Sequence, residues 1–87
     1  MSQAIQVTVK YFASIREAIG MSSEVIACEA NTVMALRDVL IAKGAPYSGV
    51  LARGKSVRTA LNQVMCDEAV SLTDGCEVAF FPPVTGG

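Results

Sequence analysis

The sequence of 87 residues contains no histidine and no tryptophan. Without histidine, the chain lacks the usual general base near neutral pH and the commonest metal ligand. It also lacks every Ser-His or Cys-His arrangement that could activate a nucleophile. We therefore do not expect a self-contained hydrolase, and we expect no metal site.

An excess of positive charge and long apolar runs are missing as well. The formal net charge is −1, so the chain does not have the basic surface typical of a nucleic-acid-binding protein. No apolar run reaches the ~18 residues that a membrane-spanning helix needs. The N-terminus alternates apolar and polar residues, unlike a signal peptide. We expect a cytoplasmic protein that binds neither nucleic acid nor membrane.

Cysteine is present in an odd number, as Cys28, Cys66 and Cys76, with no C-x-x-C spacing. This argues against a disulfide framework and a zinc site. We expect ordinary, partly buried thiols; a reactive thiol is the alternative, and no neighbouring pattern supports it. The sequence also has no G-x-x-x-x-G-K-[ST] loop, which excludes ATP hydrolysis by that route.

Hydrophobic periodicity predicts a hairpin and a main helix in the first half of the chain. Alternation over 5–11 and the run 23–28 indicate two strands. Between them, Ser14 and Glu17 match a capping box and Gly20 is a fitting stop, which predicts a short helix. The main helix follows an N-cap at Asn31-Thr32 and ends at Gly44. Its apolar stripe is formed by Val33, Met34, Leu36, Leu40 and Ile41.

The second half contains shorter elements. Residues 45–55 carry two glycines and a proline and are interpreted as an irregular connection. Residues 58–66 predict one or two short strands broken near Asn62-Gln63, and 73–75 a turn before a last strand over 76–81. The order predicts an α+β fold of the β-grasp, or ubiquitin-like, class: a mixed sheet of four to five strands packed on one main helix, plus a short helix. We expect this domain to span 1–81 and an extended C-terminal tail to span 82–87.

The tail Pro82-Pro83-Val84-Thr85-Gly86-Gly87 has features suited to delivering a chain end. The prolines favour extended geometry, and six residues reach roughly 20 Å at ~3.3 Å each. The glycines have no Cβ, so they can enter a narrow channel, and the carboxylate of Gly87 is sterically open. The alternative is that this Gly-Gly is merely a frayed end.

Strand alternation predicts an exposed aromatic patch beside the tail. Tyr11 belongs to the buried set of its strand, so Phe12 should lie on the opposite face, and Phe81 should share that outer face. Met65 joins them if its strand pairs as expected. Adjacent exposed aromatic side chains favour a docking patch; the alternative is that both phenylalanines cover the sheet edge.

A loose basic group, formed by Arg53, Lys55 and Arg58, precedes and enters the 58–66 segment. It is interpreted as a solvated loop, with docking to an acidic partner as the alternative.

Several segments of the sequence resemble those of a known family. They are Tyr11-Phe12-Ala13, Arg16-Glu17, Gly20, Thr32-Val33, Asn62-Gln63 and the ending DG-x-EVAFFPPVTGG from Asp74 to Gly87. Together they resemble the small subunits of molybdopterin synthase, which are ubiquitin-like sulfur carriers. The resemblance covers essentially the whole chain, and the ending is its most specific part.

The resemblance implies a route for sulfur. An activating enzyme would use ATP to adenylate the carboxylate of Gly87, and a sulfur donor protein would convert it to a thiocarboxylate; no cofactor would be bound. The large synthase subunit would receive the tail and hold the catalytic groups, and sulfur would pass to cyclic pyranopterin monophosphate. Two transfers per product imply a heterotetramer. The resemblance places Phe12, Met65 and Phe81 in the docking patch, with 82–85 as the segment that enters the partner.

Three alternatives stay open. The chain could be a sister sulfur carrier for thiazole or cysteine synthesis, a ubiquitin-like modifier joined to lysines, or an interaction module with an idle tail. The Phe-Phe-Pro-Pro-Val-Thr run argues against the first.

Overall fold

The computed structural model describes residues 4–83. Its strands and helices, in chain order, are β1 (Ile5–Tyr11), α1 (Ala13–Ile19), β2 (Ser23–Cys28), α2 (Val33–Ile41), α3 (Tyr47–Val50), β3 (Arg58–Leu61), β4 (Val64–Cys66) and β5 (Glu77–Phe81). The residues Val84, Thr85, Gly86 and Gly87 of the predicted tail lie outside the described part of the chain.

The five strands form one mixed sheet in the order β2-β1-β5-β3-β4. The two central strands, β1 and β5, are parallel, and the other neighbouring pairs are antiparallel. The alternating apolar residues of the central strands face the helices, so Val7, Val9, Val78 and Phe80 are fully buried. The predicted α+β class and the β-grasp arrangement of the sheet are confirmed.

Helix α2 packs its apolar stripe against this sheet. The hydroxyl oxygen of Thr32 accepts the backbone N–H of Ala35 at 3.1 Å, as predicted for an N-cap. Val33, Leu36 and Leu40 are fully buried. Met34 does not join the stripe as predicted: it is 42% exposed, because the step of about 100° after Val33 turns it away from the sheet.

The predicted capping box at Ser14 is wrong. Helix α1 already begins at Ala13, and its N-cap Phe12 makes no side-chain capping hydrogen bond. The reason lies in the sheet: the N–H of Phe12 donates to the carbonyl of Phe80 at 3.2 Å, so the chain stays paired with β5 until the helix starts. The predicted stop is confirmed, because Gly20 adopts the left-handed conformation with φ of 90°.

The 45–55 connection is not wholly irregular. It contains the single turn of α3 and, directly after it, the fully buried Leu51. Cys28 and Cys76 are buried and Cys66 is half-buried, in agreement with the predicted partial burial. Of the helices within residues 4–83, none is both long and apolar enough to cross a membrane.

Candidate docking surface at the base of the tail

Phe12 and Phe81 contact each other on the outer side of the sheet. Their ring centroids lie 5.9 Å apart and their planes meet at 84°, an edge-to-face arrangement. Phe12 is 44% exposed, whereas the preceding Tyr11 is 1% exposed. Phe81 is half-buried and follows the fully buried Phe80. Both phenylalanines thus lie on the side opposite Tyr11 and Phe80, as strand alternation predicts, and their docking role stays a prediction.

The parallel pairing of the central strands brings these rings together. Tyr11 lies opposite Phe80 in the β1–β5 register, so both strands end at the same edge and their next residues are neighbours. Pro82 and Pro83 follow directly and continue this surface. With Ala13 they line a shallow concavity of about 440 Å³. We call the five residues Phe12, Ala13, Phe81, Pro82 and Pro83 the aromatic patch.

Met65 lies on the same outer face, but two strands away from Phe81. It pairs with Ala60, which in turn pairs with Ala79 of β5. Met65 is 54% exposed, and the small side chains of Ala60 and Ala79 beside it on this face leave it accessible. Met65 therefore extends the outer face without being part of the aromatic patch.

A second, larger concavity begins on the other side of Pro83. Its volume is about 690 Å³, and its lining includes Lys55, Ser56, Arg58, Met65, Asp67 and Pro83. Four of the chain's seven lysines and arginines, Arg37, Arg53, Lys55 and Arg58, line it. We call this concavity the basic groove. Pro83 lines both the basic groove and the aromatic patch, so the two surfaces are continuous.

Arg37 holds the wall of the basic groove in place, a role that the sequence analysis missed. The residue is only 4% exposed. Its guanidinium donates to the carbonyls of Leu51 (2.6 Å), Ala52 (2.6 Å) and Lys55 (2.9 Å) and to the carboxylate of Glu68 (2.6 Å). The sequence does contain an indication of this role, because Arg37 falls on the apolar stripe of α2, four residues after Val33. A cation in such a stripe requires buried partners.

Glu24 joins two tyrosines at the edge of the core. Its Oε2 accepts the hydroxyls of Tyr11 and Tyr47, each at 2.7 Å. Burial, followed by the hydrogen bond to Glu24, raises the pKa of Tyr11 well above its usual range. For Tyr47 the hydrogen bond to Glu24 is the main cause of a raised pKa. This cluster ties α3 to the sheet and lies outside the candidate site.

No group of three or more cysteine, aspartate or glutamate side chains suited to a metal ion occurs within residues 4–83. The described residues beside the tail base offer apolar area, hydrogen-bonding groups and the charges of the basic groove.

Comparison with known proteins shows which family this chain resembles. The ThiS family matches residues 9–87. The molybdopterin synthase sulfur carrier subunit of Escherichia coli (strain K12) is 42% identical over 81 residues, covering 93% of this chain and 99% of the relative. The protein of the same name from Haemophilus influenzae is 38% identical over 79 residues, covering 91% and 96%.

Solved structures agree with the fold. A structure assigned to molybdopterin converting factor, subunit 1, of Pyrococcus furiosus has a TM-score of 0.74 at 30% identity, covering 92% of this chain and 99% of that one. A complex of subunits 1 and 2 of molybdopterin-converting factor from Helicobacter pylori matches with a TM-score of 0.62 at 29% identity, covering 95% and 100%. The small archaeal modifier protein 1 of Methanosarcina acetivorans matches with 0.65 at 27% identity, covering 98% and 99%.

The family match spans nearly the whole described domain and continues through the Gly-Gly ending. The two sulfur carrier subunits exceed one-third identity over more than nine-tenths of the chain. The resemblance that the motifs suggested is confirmed: this chain belongs to the ThiS family.

Proposed function

We propose that this chain is the sulfur carrier subunit of a molybdopterin synthase. The observation that carries the proposal is the aromatic patch at the base of a Gly-Gly tail, in a chain that is 42% identical to a molybdopterin synthase sulfur carrier subunit. The patch would dock on the partner, and the tail would carry the reactive group. Residues 1–81 would act as the carrier domain and 82–87 as its delivery arm.

Sulfur loading takes place at Gly87. The Gly87 carboxylate attacks the α-phosphorus of ATP in an activating enzyme, which releases pyrophosphate and leaves an acyl adenylate. The outer sulfur of a donor-protein persulfide then attacks the acyl carbon, and AMP departs with one carboxylate oxygen. A thiol cleaves the S–S bond of the resulting acyl disulfide, which releases the Gly87 thiocarboxylate and leaves the donor cysteine in a disulfide with that thiol. AMP is a good leaving group, and the resulting thiocarboxylate is a nucleophile at neutral pH.

Sulfur delivery takes place in the partner. The thiocarboxylate enters the active site of a large synthase subunit, where its sulfur bonds to a side-chain carbon of cyclic pyranopterin monophosphate as an oxygen substituent of that carbon departs. Water then hydrolyses the resulting thioester, which leaves the sulfur on the pterin and regenerates the Gly87 carboxylate. Two such transfers complete the dithiolene of molybdopterin, which suits a heterotetramer of two carriers and two large subunits. Acids and bases on the large subunit would supply the catalysis that a chain without histidine lacks.

Three surfaces would share the contact with the large subunit. Phe12 and Phe81 supply apolar area of the kind that forms binding hot spots, and Met65 extends it across the sheet. Pro82 and Pro83 line the aromatic patch at the base of the tail. From Pro83, the four residues to Gly87 reach about 13 Å, enough to place the carboxylate well inside a neighbouring protein. The Helicobacter pylori complex of subunits 1 and 2 supports this kind of partner.

A second candidate function is protein modification. It is favoured by the structural similarity to a small archaeal modifier protein, since both functions use the same fold and an activated C-terminal glycine. The two functions differ in the product: a modifier ends in an isopeptide bond to lysine, whereas a carrier is released unchanged. A sister carrier for thiazole or cysteine synthesis would differ from a molybdopterin synthase carrier in the molecule that accepts its sulfur.

A reconstituted synthase assay tests the proposal. The chain bearing a Gly87 thiocarboxylate is mixed with the large subunit and cyclic pyranopterin monophosphate, and molybdopterin is measured. We expect product from the thiocarboxylate form, and none from the carboxylate form or from a chain lacking Gly86 and Gly87. A thiocarboxylate form that binds the large subunit and yields no molybdopterin, but supplies sulfur to a thiazole synthase, would overturn it. The reaction is expected in the cytoplasm, where thiols stay reduced.

A further inference from the structure

The basic groove has an unbalanced set of charges. Two of its cations are neutralised within the domain: Arg37 by Glu68, and Arg53 by Asp38. Lys55 and Arg58 are exposed and form no ion pair with any residue from 4 to 83. The remaining acid of the lining, Asp67, is exposed and accepts the backbone N–H of Ala69 at 2.8 Å. The groove thus presents the two cations Lys55 and Arg58 beside the single carboxylate of Asp67, in a chain whose net charge is −1.

The groove also has apolar walls. Met34 and Met65 are both exposed and line it, together with Val57 and Pro83. Methionine side chains adapt to varied apolar partners. A groove that combines two cations with two methionines fits a segment that carries carboxylates beside an apolar side chain.

Its position relative to the tail is fixed by the sheet. Arg58 lies opposite Phe81 in the β3–β5 register, so its side chain starts from the same face as the aromatic patch. The carbonyl of Lys55 accepts from the buried guanidinium of Arg37 at 2.9 Å, which anchors the backbone from which the lysine side chain extends. A partner bound to the aromatic patch would therefore meet two cations next to it, both carried by a backbone that the fold holds in place.

We propose that the basic groove is a second docking site for the tail-receiving protein, and that it binds an acidic segment of that protein through Lys55 and Arg58. This inference rests on the proposed function, because it takes the recipient of the tail to be the large synthase subunit. Charge complementarity and continuity with the aromatic patch across Pro83 argue for this occupant. Paired opposite charges at the edge of an apolar contact would speed association and fix its orientation.

Affinity measurements with single charge reversals test the proposal. Lys55→Glu and Arg58→Glu are compared with Lys43→Glu, which changes the net charge equally, at a residue that does not line the groove. We expect each groove variant to weaken binding of the large subunit about tenfold at low salt, and the loss to shrink at high salt. We expect the Lys43 variant to change binding less than about threefold. Equal effects at all three positions would overturn the proposal.

A zero-length carbodiimide cross-link identifies the occupant directly. In the wild-type complex we expect Lys55 to be joined to an aspartate or glutamate of the large subunit, and Lys43 not to be. A cross-link from Lys55 to the Gly87 carboxylate of the same chain, or tighter binding by the reversed variants, would show that the groove holds the chain's own tail and would overturn the proposal. If a reversal impairs folding, Lys55→Gln and Arg58→Gln replace it.

The outcomes for the two proposals differ. If the wild-type chain does not bind the large subunit at all, the proposed function fails, and the groove as a site for that partner fails with it. If the wild-type chain binds and yields molybdopterin while the groove variants match the Lys43 control, only the groove proposal fails.

Discussion

The rings of Phe12 and Phe81 meet edge to face, 5.9 Å apart, although 69 positions of sequence separate the two residues (81 − 12 = 69). The parallel pairing of β1 with β5 brings them together at the edge where the tail leaves the domain. Their neighbours Tyr11 and Phe80 point into the core. A one-residue alternation thus separates aromatic side chains that stabilise the fold from those available to a partner.

Phe81→Ala should weaken partner binding more than folding. Phe81 is half-buried and its main aromatic contact is Phe12, so its loss should lower the free energy of unfolding by about 1 kcal/mol. Loss of a binding hot spot should cost about 2 kcal/mol of affinity for the large subunit, or about thirtyfold. Urea unfolding and a binding isotherm measure the two effects.

Phe80→Ala is the matched control, because this neighbouring ring is fully buried. Its free energy of unfolding should fall by about 3–5 kcal/mol. Similar losses of stability for the two variants would show that Phe81 serves the core, and the docking role of the aromatic patch would be wrong.

Arg37→Met should lower the free energy of unfolding by about 3 kcal/mol, because it leaves the carboxylate of Glu68 and three backbone carbonyls without their hydrogen-bond donor. Arg37→Lys should not restore stability, since an ammonium group cannot span these acceptors. The exposed Arg16→Met is the control, with an expected change below about 0.5 kcal/mol. Chemical denaturation measures the free energy of unfolding of all three variants. A small loss of stability in Arg37→Met would contradict the anchoring role of Arg37.

Tyrosine ionisation should depend on Glu24. The pKa values of Tyr11 and Tyr47 are both raised from 10.0 in the folded chain, so the folded state favours the neutral phenols. The stability linked to them is present in full below pH 10 and falls as the pH rises above it. Native absorbance at 295 nm should accordingly begin to change at higher pH than in the urea-unfolded chain.

Glu24→Gln separates the two tyrosines. The pKa of Tyr47 should return toward its ordinary value, because the hydrogen bond to Glu24 is its leading cause. The pKa of Tyr11 should stay raised, because burial leads there. Repeating the titration with Tyr47→Phe assigns the two steps, and an unchanged titration curve in Glu24→Gln would argue against the shared carboxylate.

Gln63→Gly should stabilise the β3–β4 hairpin. Asn62 and Gln63 have φ values of 49° and 70°, and a two-residue turn with both φ positive favours Asn-Gly. Asn62 is already fixed, since its side-chain oxygen accepts the N–H of Glu77 at 2.9 Å. We expect a gain of about 0.5–1 kcal/mol in thermal or urea unfolding. Gln63→Ala, which keeps a Cβ, should give no gain; an equal gain would point to a cause other than φ.

Strands β1 and β2 and the main helix could be predicted because each has one face that is buried by the sheet–helix contact. Helix α3 could not, because its four residues are too few to show a helical period. The start of α1 was misplaced because a long-range hydrogen bond from Phe12 to Phe80, which no local pattern contains, decides where β1 ends.

The candidate site likewise contains residues that could be predicted from the sequence and others that could not. Phe12 and Phe81 could be predicted because alternation along single strands sets their side of the sheet. Three cations of the basic groove, Arg53, Lys55 and Arg58, could be named from the sequence as a basic group. The groove itself could not be predicted, because it joins a loop, α2, β3 and β4, which only the tertiary fold brings together. The role of Arg37 needed the positions of backbone carbonyls around it, which the sequence does not specify.

The central claim is that Gly87 carries sulfur, and intact mass measures this most directly. The chain is incubated with its activating enzyme, ATP and a sulfur donor, beside a variant lacking Gly87. The account predicts a gain of about 16 Da, oxygen replaced by sulfur, on the full chain only. No gain on the full chain, under conditions in which the enzyme forms the Gly87 adenylate, would contradict it.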